Sequence, residues 1–206
     1  MINHKHKFIF VRVAKTASTS MLFSLFNDNQ STAGHILSQI IERYSIDVSK
    51  YWHNDSHHYP LGIIKKVVSA EIYDSYYKFG FVRNPWARAI SAYKYTVKWH
   101  KSKGSYNQHP ELATFNRWIL SIQEPFHKYG EQHAYVEGCD FIGKIENIQE
   151  DFNIVCDKVG IPRAKLPHTN KTKHKHYTEY YDDETREIVA QKYAEDIEHF
   201  GYEFGE

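Results

Sequence analysis

Residues 8–20 read Phe8-Ile9-Phe10-Val11-Arg12-Val13-Ala14-Lys15-Thr16-Ala17-Ser18-Thr19-Ser20, and the fold turns on how this stretch divides. Residues 8–13 are mostly apolar and β-branched, the composition of a short buried strand. The residues that follow, AKTASTS, are small and polar, after which Met21, Leu22, Leu25 and Phe26 recur at helical spacing. The segment predicts a strand, a tight loop and a helix, with the serines and threonines of the loop available as caps.

Working outward, the same pattern returns. Lys78, Phe79, Gly80, Phe81 and Val82 form a second apolar run. Asn84 follows as an N-cap and Pro85 as the first helical residue, with a helix predicted through about Trp99. Residues 140–145 (DFIGKI) give a third strand, and residues 147–159 a helix stopped by Gly160 and Pro162. Further helices are predicted around 36–44 and over 60–76, 111–122 and 183–200, the last with Ile188, Val189, Tyr193, Ile197 and Phe200 on one face and Gly201 as its stop. Strands alternating with helices predict an α/β fold, a P-loop-like central parallel sheet flanked by helices in three α/β/α layers. No internal repeat or low-complexity linker divides the chain, so residues 1–206 are expected to form a single domain.

With 206 residues, 41% of them hydrophobic and 16% aromatic, the chain can bury a real core. Its formal net charge of +1 provides no global field for nucleic acid, so any anion site must be a local cluster. Cys139 and Cys156 have neither metal-ligand spacing nor a disulfide framework and suit a reducing compartment. The polar, basic start leads into a strand-like run instead of an apolar leader. No apolar run approaches the ~20 residues that span a bilayer. A cytoplasmic protein without a membrane partner is expected. The paired histidines His4/His6, in a mobile-looking terminus, and His174/His176, in a basic segment, lack a third ligand, and no metal is expected.

Two segments carry chemistry. Lys15, Thr16, Ala17, Ser18, Thr19 and Ser20 lie where a strand enters a helix, whose first N–H groups and dipole favour a phosphate or sulfate. Small residues let the backbone wrap an anion, and Lys15 adds a point charge. The lysine precedes the loop, unlike a Walker A lysine, which ends it. The second segment is Arg83-Asn84-Pro85-Trp86-Ala87-Arg88-Ala89-Ile90-Ser91-Ala92-Tyr93. Arg83 sits at a strand's carboxyl end, where ligands bind in open α/β sheets, and Arg88 and Ser91 share a helix face. Read blandly, each segment is a capped helix with solvated cations. Together they are two anion cradles suited to a nucleotide phosphorylated at both ends.

VAKTASTS resembles the 5′-phosphosulfate loop of the sulfotransferases that use PAPS (3′-phosphoadenosine 5′-phosphosulfate), and FVRNPWARAISAY resembles their 3′-phosphate motif. FIGKIENIQEDF and YYDDETREIVAQKYAEDIEHFGYEF are similar to the carbohydrate branch with its Golgi-type and bacterial members. The resemblance implies that Lys15 contacts the bridging or leaving oxygen, that Thr16, Ala17, Ser18, Thr19 and Ser20 cradle the 5′ end, and that Arg83 and Ser91 hold the 3′-phosphate. Asn170, Lys171 and Thr172 match the segment that closes over the nucleotide. His58 matches the histidine that opens the helix before the second strand and implies the general base, with His57 and His53 as competitors. Lys15 is then the electrophilic partner.

Ala14 stands where the family usually has proline, and Ser18 where glycine is commoner. The uronosyl 2-O-sulfotransferases also carry KTASTS, which together with Arg12 implies a uronic-acid-containing glycan as acceptor, contacted by Arg12 and His57. The shortness of the chain implies a bacterial origin. Two other readings share parts of the pattern: a P-loop-type phosphotransferase (kinase), which requires a lysine after the loop and an acidic Mg²⁺ ligand, and a non-catalytic glycan- or anion-binding protein.

Overall fold

The computed structural model describes residues 1–25, 58–122, 130–166 and 175–206. In chain order these form β1 (Ile2–Asn3), β2 (Phe8–Val11), α1 (Ser18–Leu25), α2 (Leu61–Val67), α3 (Ala70–Ser75) and β3 (Tyr77–Val82). There follow α4 (Pro85–Ser102), α5 (Phe115–Ser121), α6 (His133–Val136), β4 (Phe141–Lys144), α7 (Ile148–Val159), α8 (Asp183–Lys192) and α9 (Ala194–Phe200). The helix expected at 36–44 lies outside the described residues. The described residues group into two compact units, one from residues 1–82 and 132–166, the other from 83–131 and 175–206.

The first unit is a mixed four-stranded sheet in the order β1-β2-β3-β4. Strands β2, β3 and β4 run parallel, as the sequence predicts, with Phe8 paired to Tyr77 and Val11 to Gly80, then Phe79 to Phe141 and Val82 to Lys144. Strand β1 is an antiparallel edge that the sequence did not signal. It fixes the terminus expected to be mobile: His4 Nδ1 bonds the Tyr76 hydroxyl (2.8 Å) and His6 Nδ1 the Val159 carbonyl (3.2 Å).

Alternation along the strands sorts side chains to two faces. Phe8, Phe10, Phe79 and Phe81, each 0–1% exposed, share one face with Met21 and Leu25 of α1 and Phe152, Val155, Cys156 and Val159 of α7. The rings of Phe10 and Phe79 stack at 5.1 Å. On the other face α6 closes on β3 at Gly80, where a Cβ would meet Val136 Cγ1 at 2.6 Å, and α2 packs against α6. Helices on both faces give the expected three layers.

Polar anchors fix the strand ends. Asp140 accepts from the Lys78 backbone N–H (2.7 Å) and faces its ammonium (3.1 Å), which also donates to the Tyr76 carbonyl. Asp151 in the first turn of α7 accepts from the Lys144 N–H (2.6 Å). Both cysteines are free, and burial, with Asp140 alongside, pushes the Cys139 thiol up to about 12.

In the second unit, Trp86 Nε1 donates to the Arg186 carbonyl (3.0 Å), and the buried Tyr181 hydroxyl donates to the Trp86 carbonyl (2.8 Å). Phe204 meets both rings edge-on. Burial holds the Tyr181 phenol well above its usual range.

Three predicted helices are shorter than their apolar periodicity suggests. The stretch 60–76 breaks at extended Val68 because Ser69 caps a new helix, accepting from the Ile72 N–H (3.3 Å). The stretch 111–122 begins as a 3₁₀ turn, and α5 starts only where Thr114 caps it, accepting from the Arg117 N–H. The last helix divides at Tyr193, whose backbone (φ −123°, ψ 31°) leaves the helical region. Gly160 and Gly201 end their helices at φ 68° and 64°, as expected.

The glycines of the sheet make the packing testable. A Cβ at Gly143 would lie 2.5 Å from the buried Phe81 ring, whereas one at Gly62 meets nothing within 4 Å. Gly143→Ala is expected to destabilise the protein by about 1–3 kcal/mol and Gly62→Ala to leave stability unchanged or raised by up to ~1 kcal/mol, both read from urea unfolding.

Candidate functional site

The loop that follows β2 is held in a backbone conformation uncommon for its residues. Lys15 (φ 68°) and Ala17 (φ 52°) both occupy the left-handed region without being glycine. Each position costs about 1–2 kcal/mol in an L-residue, and such strain concentrates where a loop has a ligand to hold. Ser18, where the family commonly has glycine, is the first residue of α1 and is not among the left-handed positions, so the serine is accommodated without strain.

Local bonds set this geometry. The Thr16 hydroxyl donates to the Val13 carbonyl (2.9 Å) with the residue only 1% exposed, so that side chain braces the loop. The Ala17 carbonyl accepts from the Ser20 N–H (3.0 Å) and the Met21 N–H (3.4 Å), which starts α1. Ser18 and Ser20 are buried, Lys15 is half-buried, and Thr19 is exposed. The first turn of α1 contains no carboxylate, whereas α3, α7, α8 and α9 all carry acids there. The positive end of its dipole therefore meets no carboxylate from its own first turn.

His58 enters the same neighbourhood from the three residues, His58 to Pro60, that precede α2. It is 6% exposed, and Nδ1 lies 2.9 Å from the Arg12 carbonyl. A carbonyl can only accept, so in the neutral ring Nδ1 carries the proton and Nε2 the lone pair. The tautomer of the histidine is thus set by Arg12, the residue that follows β2. Its own side chain is half-buried, with Nε lacking a hydrogen-bond partner among the described residues. Burial lowers the Arg12 guanidinium to about 10, which leaves it charged at neutral pH.

Arg83 and Ser91 belong to the second unit. Arg83 follows β3 directly, and Asn84 then caps α4, its Oδ1 accepting from the Trp86 (3.1 Å) and Ala87 (3.3 Å) N–H groups. Asn84 Nδ2 donates to the Glu203 carbonyl (2.8 Å). The first turn of α4 also lacks acids. Ser91 is half-buried on this helix. Arg88, which the sequence pairs with Ser91, is not a solvated cation: it is 1% exposed, donates to the Gly130 carbonyl (3.0 Å) and lies over the Tyr193 ring.

The structure therefore brings Arg12, Lys15, Thr16, Ala17, Ser18, Thr19, Ser20 and His58 into one unit, with Arg83 and Ser91 in the other. His53, His57, Asn170, Lys171 and Thr172 lie outside the described residues. The bracing of His58 by a main-chain carbonyl left no signal in the sequence, since a backbone acceptor has no residue type to read.

Loop strain and bracing can be separated by substitution. Ala17→Gly is expected to gain about 1 kcal/mol and Thr16→Val to lose about 1–2 kcal/mol, because the second leaves a buried carbonyl unbonded. Denaturant midpoints of the two variants check the pair.

A family model described as the sulfotransferase family matches residues 1–203. An uncharacterized protein of Archaeoglobus fulgidus is 33% identical over 104 residues, half of this chain and 83% of that protein. The crystal structure of a sulfotransferase from Alicyclobacillus acidocaldarius aligns over 93% of this chain and 92% of its own, with 15% identity and a TM-score of 0.43. On the match across residues 1–203, the chain belongs to the sulfotransferase family, enzymes that transfer a sulfuryl group to an acceptor.

Proposed function

We propose that the chain transfers a sulfuryl group from PAPS to a hydroxyl of a carbohydrate, acting as a single functional domain over residues 1–206 in a bacterial cytoplasm. The observation that carries this reading is the strained loop at Lys15 and Ala17, opening onto a helix start without acids, with His58 braced on the Arg12 carbonyl. Among the described residues, no helix is long and apolar enough to cross a membrane.

Bound PAPS supplies the sulfuryl group and the phosphate on which its bonding electrons depart. Lys15 places its ammonium beside that leaving oxygen and neutralises the charge that develops there. The backbone N–H groups of Thr16, Ala17, Ser18 and Thr19 hold the 5′ end, with the exposed Thr19 side chain as an added donor and Ser20, whose N–H is engaged by Ala17, completing the cradle. Since the Thr16 hydroxyl is engaged by Val13, its share is the backbone alone. Arg83 and Ser91 take the 3′-phosphate, and Asn170, Lys171 and Thr172 complete the nucleotide contacts.

At the acceptor, His58 Nε2 takes the hydroxyl proton while Nδ1–H stays on the Arg12 carbonyl, which keeps the ring oriented through the transfer. The Arg12 guanidinium, charged and with a buried Nε that has no hydrogen-bond partner among the described residues, supports a carboxylate on the acceptor. A uronic-acid-containing glycan fits that chemistry, with His57 as a further acceptor contact.

Calorimetry of the full chain with adenosine 3′,5′-bisphosphate in EDTA is the primary test. Binding is expected without Mg²⁺ and should weaken about tenfold or more in Lys15→Ala and in Arg83→Ala. His58→Ala should lower kcat with PAPS and a glycan acceptor by about 10²–10⁴-fold while nucleotide binding is retained. No measurable nucleotide binding by the wild-type chain would falsify the reading.

A further inference from the structure

Between Asp74 and Glu111 the sequence contains no acidic residue, yet it carries Lys78, Arg83, Arg88, Lys94, Lys98, Lys101 and Lys103. Lys78 and Arg88 are buried, Lys78 paired with Asp140 and Arg88 bonded to the Gly130 carbonyl. The lysines from 94 onward lie on the second half of α4 and just beyond it, where the helix surface is open.

At 3.6 residues per turn, Lys94, Lys98 and Lys101 fall in one stripe, and Tyr95 and Trp99 fall in a second stripe beside it. Both rings are exposed, Tyr95 by 40% and Trp99 by 46%. The Lys94 ammonium sits 4.3 Å from the Tyr180 ring centroid and that of Lys101 4.8 Å from Tyr106, and Lys98 between them is exposed. Among the described residues, no carboxylate lies within ion-pair distance of Lys94, Lys98, Lys101 or Lys103. Acids on the neighbouring elements have other partners: Glu111 bonds His109 (2.9 Å), Glu179 faces Lys175 (3.8 Å) and Asp183 faces Arg186 (3.3 Å).

We infer that this face of α4, formed by Tyr95, Lys98 and Trp99 and flanked by Lys94 and Lys101, docks an anionic glycan chain. The inference rests on the carbohydrate reading of the acceptor and adds to it a binding surface for the same class of polymer. Aromatic faces offer apolar surface to the C–H faces of pyranose rings, and the adjoining lysines meet carboxylates or sulfates on the same chain. Tyr95 and Trp99 are about 6 Å apart along the helix axis, close to the length of one sugar unit. A nucleic acid is disfavoured because the cationic stripe is narrow and the whole chain carries a net charge of only +1.

The test is a titration of the full chain with an unsulfated oligosaccharide alternating glucuronate and N-acetylglucosamine, followed by calorimetry. Binding is expected, weakening with added NaCl. The Kd should rise about tenfold in Trp99→Ala and in Lys98→Glu, and by less in Lys98→Gln. Lys66→Ala, an exposed lysine on α2, serves as the control and should leave it unchanged. Thermal midpoints equal to wild type show that the variants are folded, and the milder Lys98→Gln keeps the test open if Trp99→Ala is not. Unaltered affinity in both Lys98 variants overturns the inference, as does absence of oligosaccharide binding or tighter binding of single-stranded DNA at equal charge. Adenosine 3′,5′-bisphosphate binding on the same samples keeps the two conclusions apart. If it is present while sugar binding ignores α4, only the docking surface fails; if it is absent, the donor reading fails.

Discussion

In β2 and β3, two strands far apart in sequence lie side by side, Phe8 against Tyr77 and Val11 against Gly80, and the rings of Phe8, Phe10, Phe79 and Phe81 seal the pairing from water. Fully burying each of these rings is worth roughly 1.5–3 kcal/mol, a contribution on the scale of a small domain's whole net stability. Their parallel direction delivers the carboxyl ends of both strands to the same sheet edge. From the end of β2 the chain enters the strained loop before α1, and β3 is followed in sequence by Arg83. Moving the register by one residue would turn the phenylalanines away from α1 and α7 and misplace the loop with them.

Rigid strands also explain how a loop without glycine sustains two left-handed residues. Val13 and Ala14 before it are buried, α1 behind it is pinned by Met21 and Leu25 in the phenylalanine layer, and Thr16 bridges the turn from within. The packing on both sides holds a conformation that the residues alone would abandon. His58 gains its orientation from the same source, because the carbonyl it binds belongs to the residue that follows β2.

Much of this was legible from residue patterns. The three parallel strands announced themselves as apolar runs, and Asn84, Pro85, Gly160 and Gly201 marked helix ends by chemistry that acts locally. What escaped notice was set by neighbours or by competing local bonds. Two residues of β1 are too few for a period to show, and α6 is a single turn held where Gly80 leaves room for Val136. Ser69 and Thr114 were polar residues inside apolar periodicities, and their capping bonds outweighed the continuation of one helix. Arg88 looked like a partner for Ser91 because spacing reports a shared face, whereas burial against Gly130 and Tyr193 is a tertiary fact. The positive φ at Lys15 and Ala17 had no glycine to advertise it.

The first unit is discontinuous: β4 and α7, which finish its sheet and its core, follow an excursion of the chain through residues 83–131. During synthesis, β3 must therefore emerge with one edge unpaired and wait until residues 141–144 leave the ribosome. Closing so long a connection costs little more entropy than a short one, but it delays the event. Throughout that interval Phe79 and Phe81 lack the cover of Phe152 and Val155, so the nascent chain exposes a sticky aromatic edge until its last strand arrives.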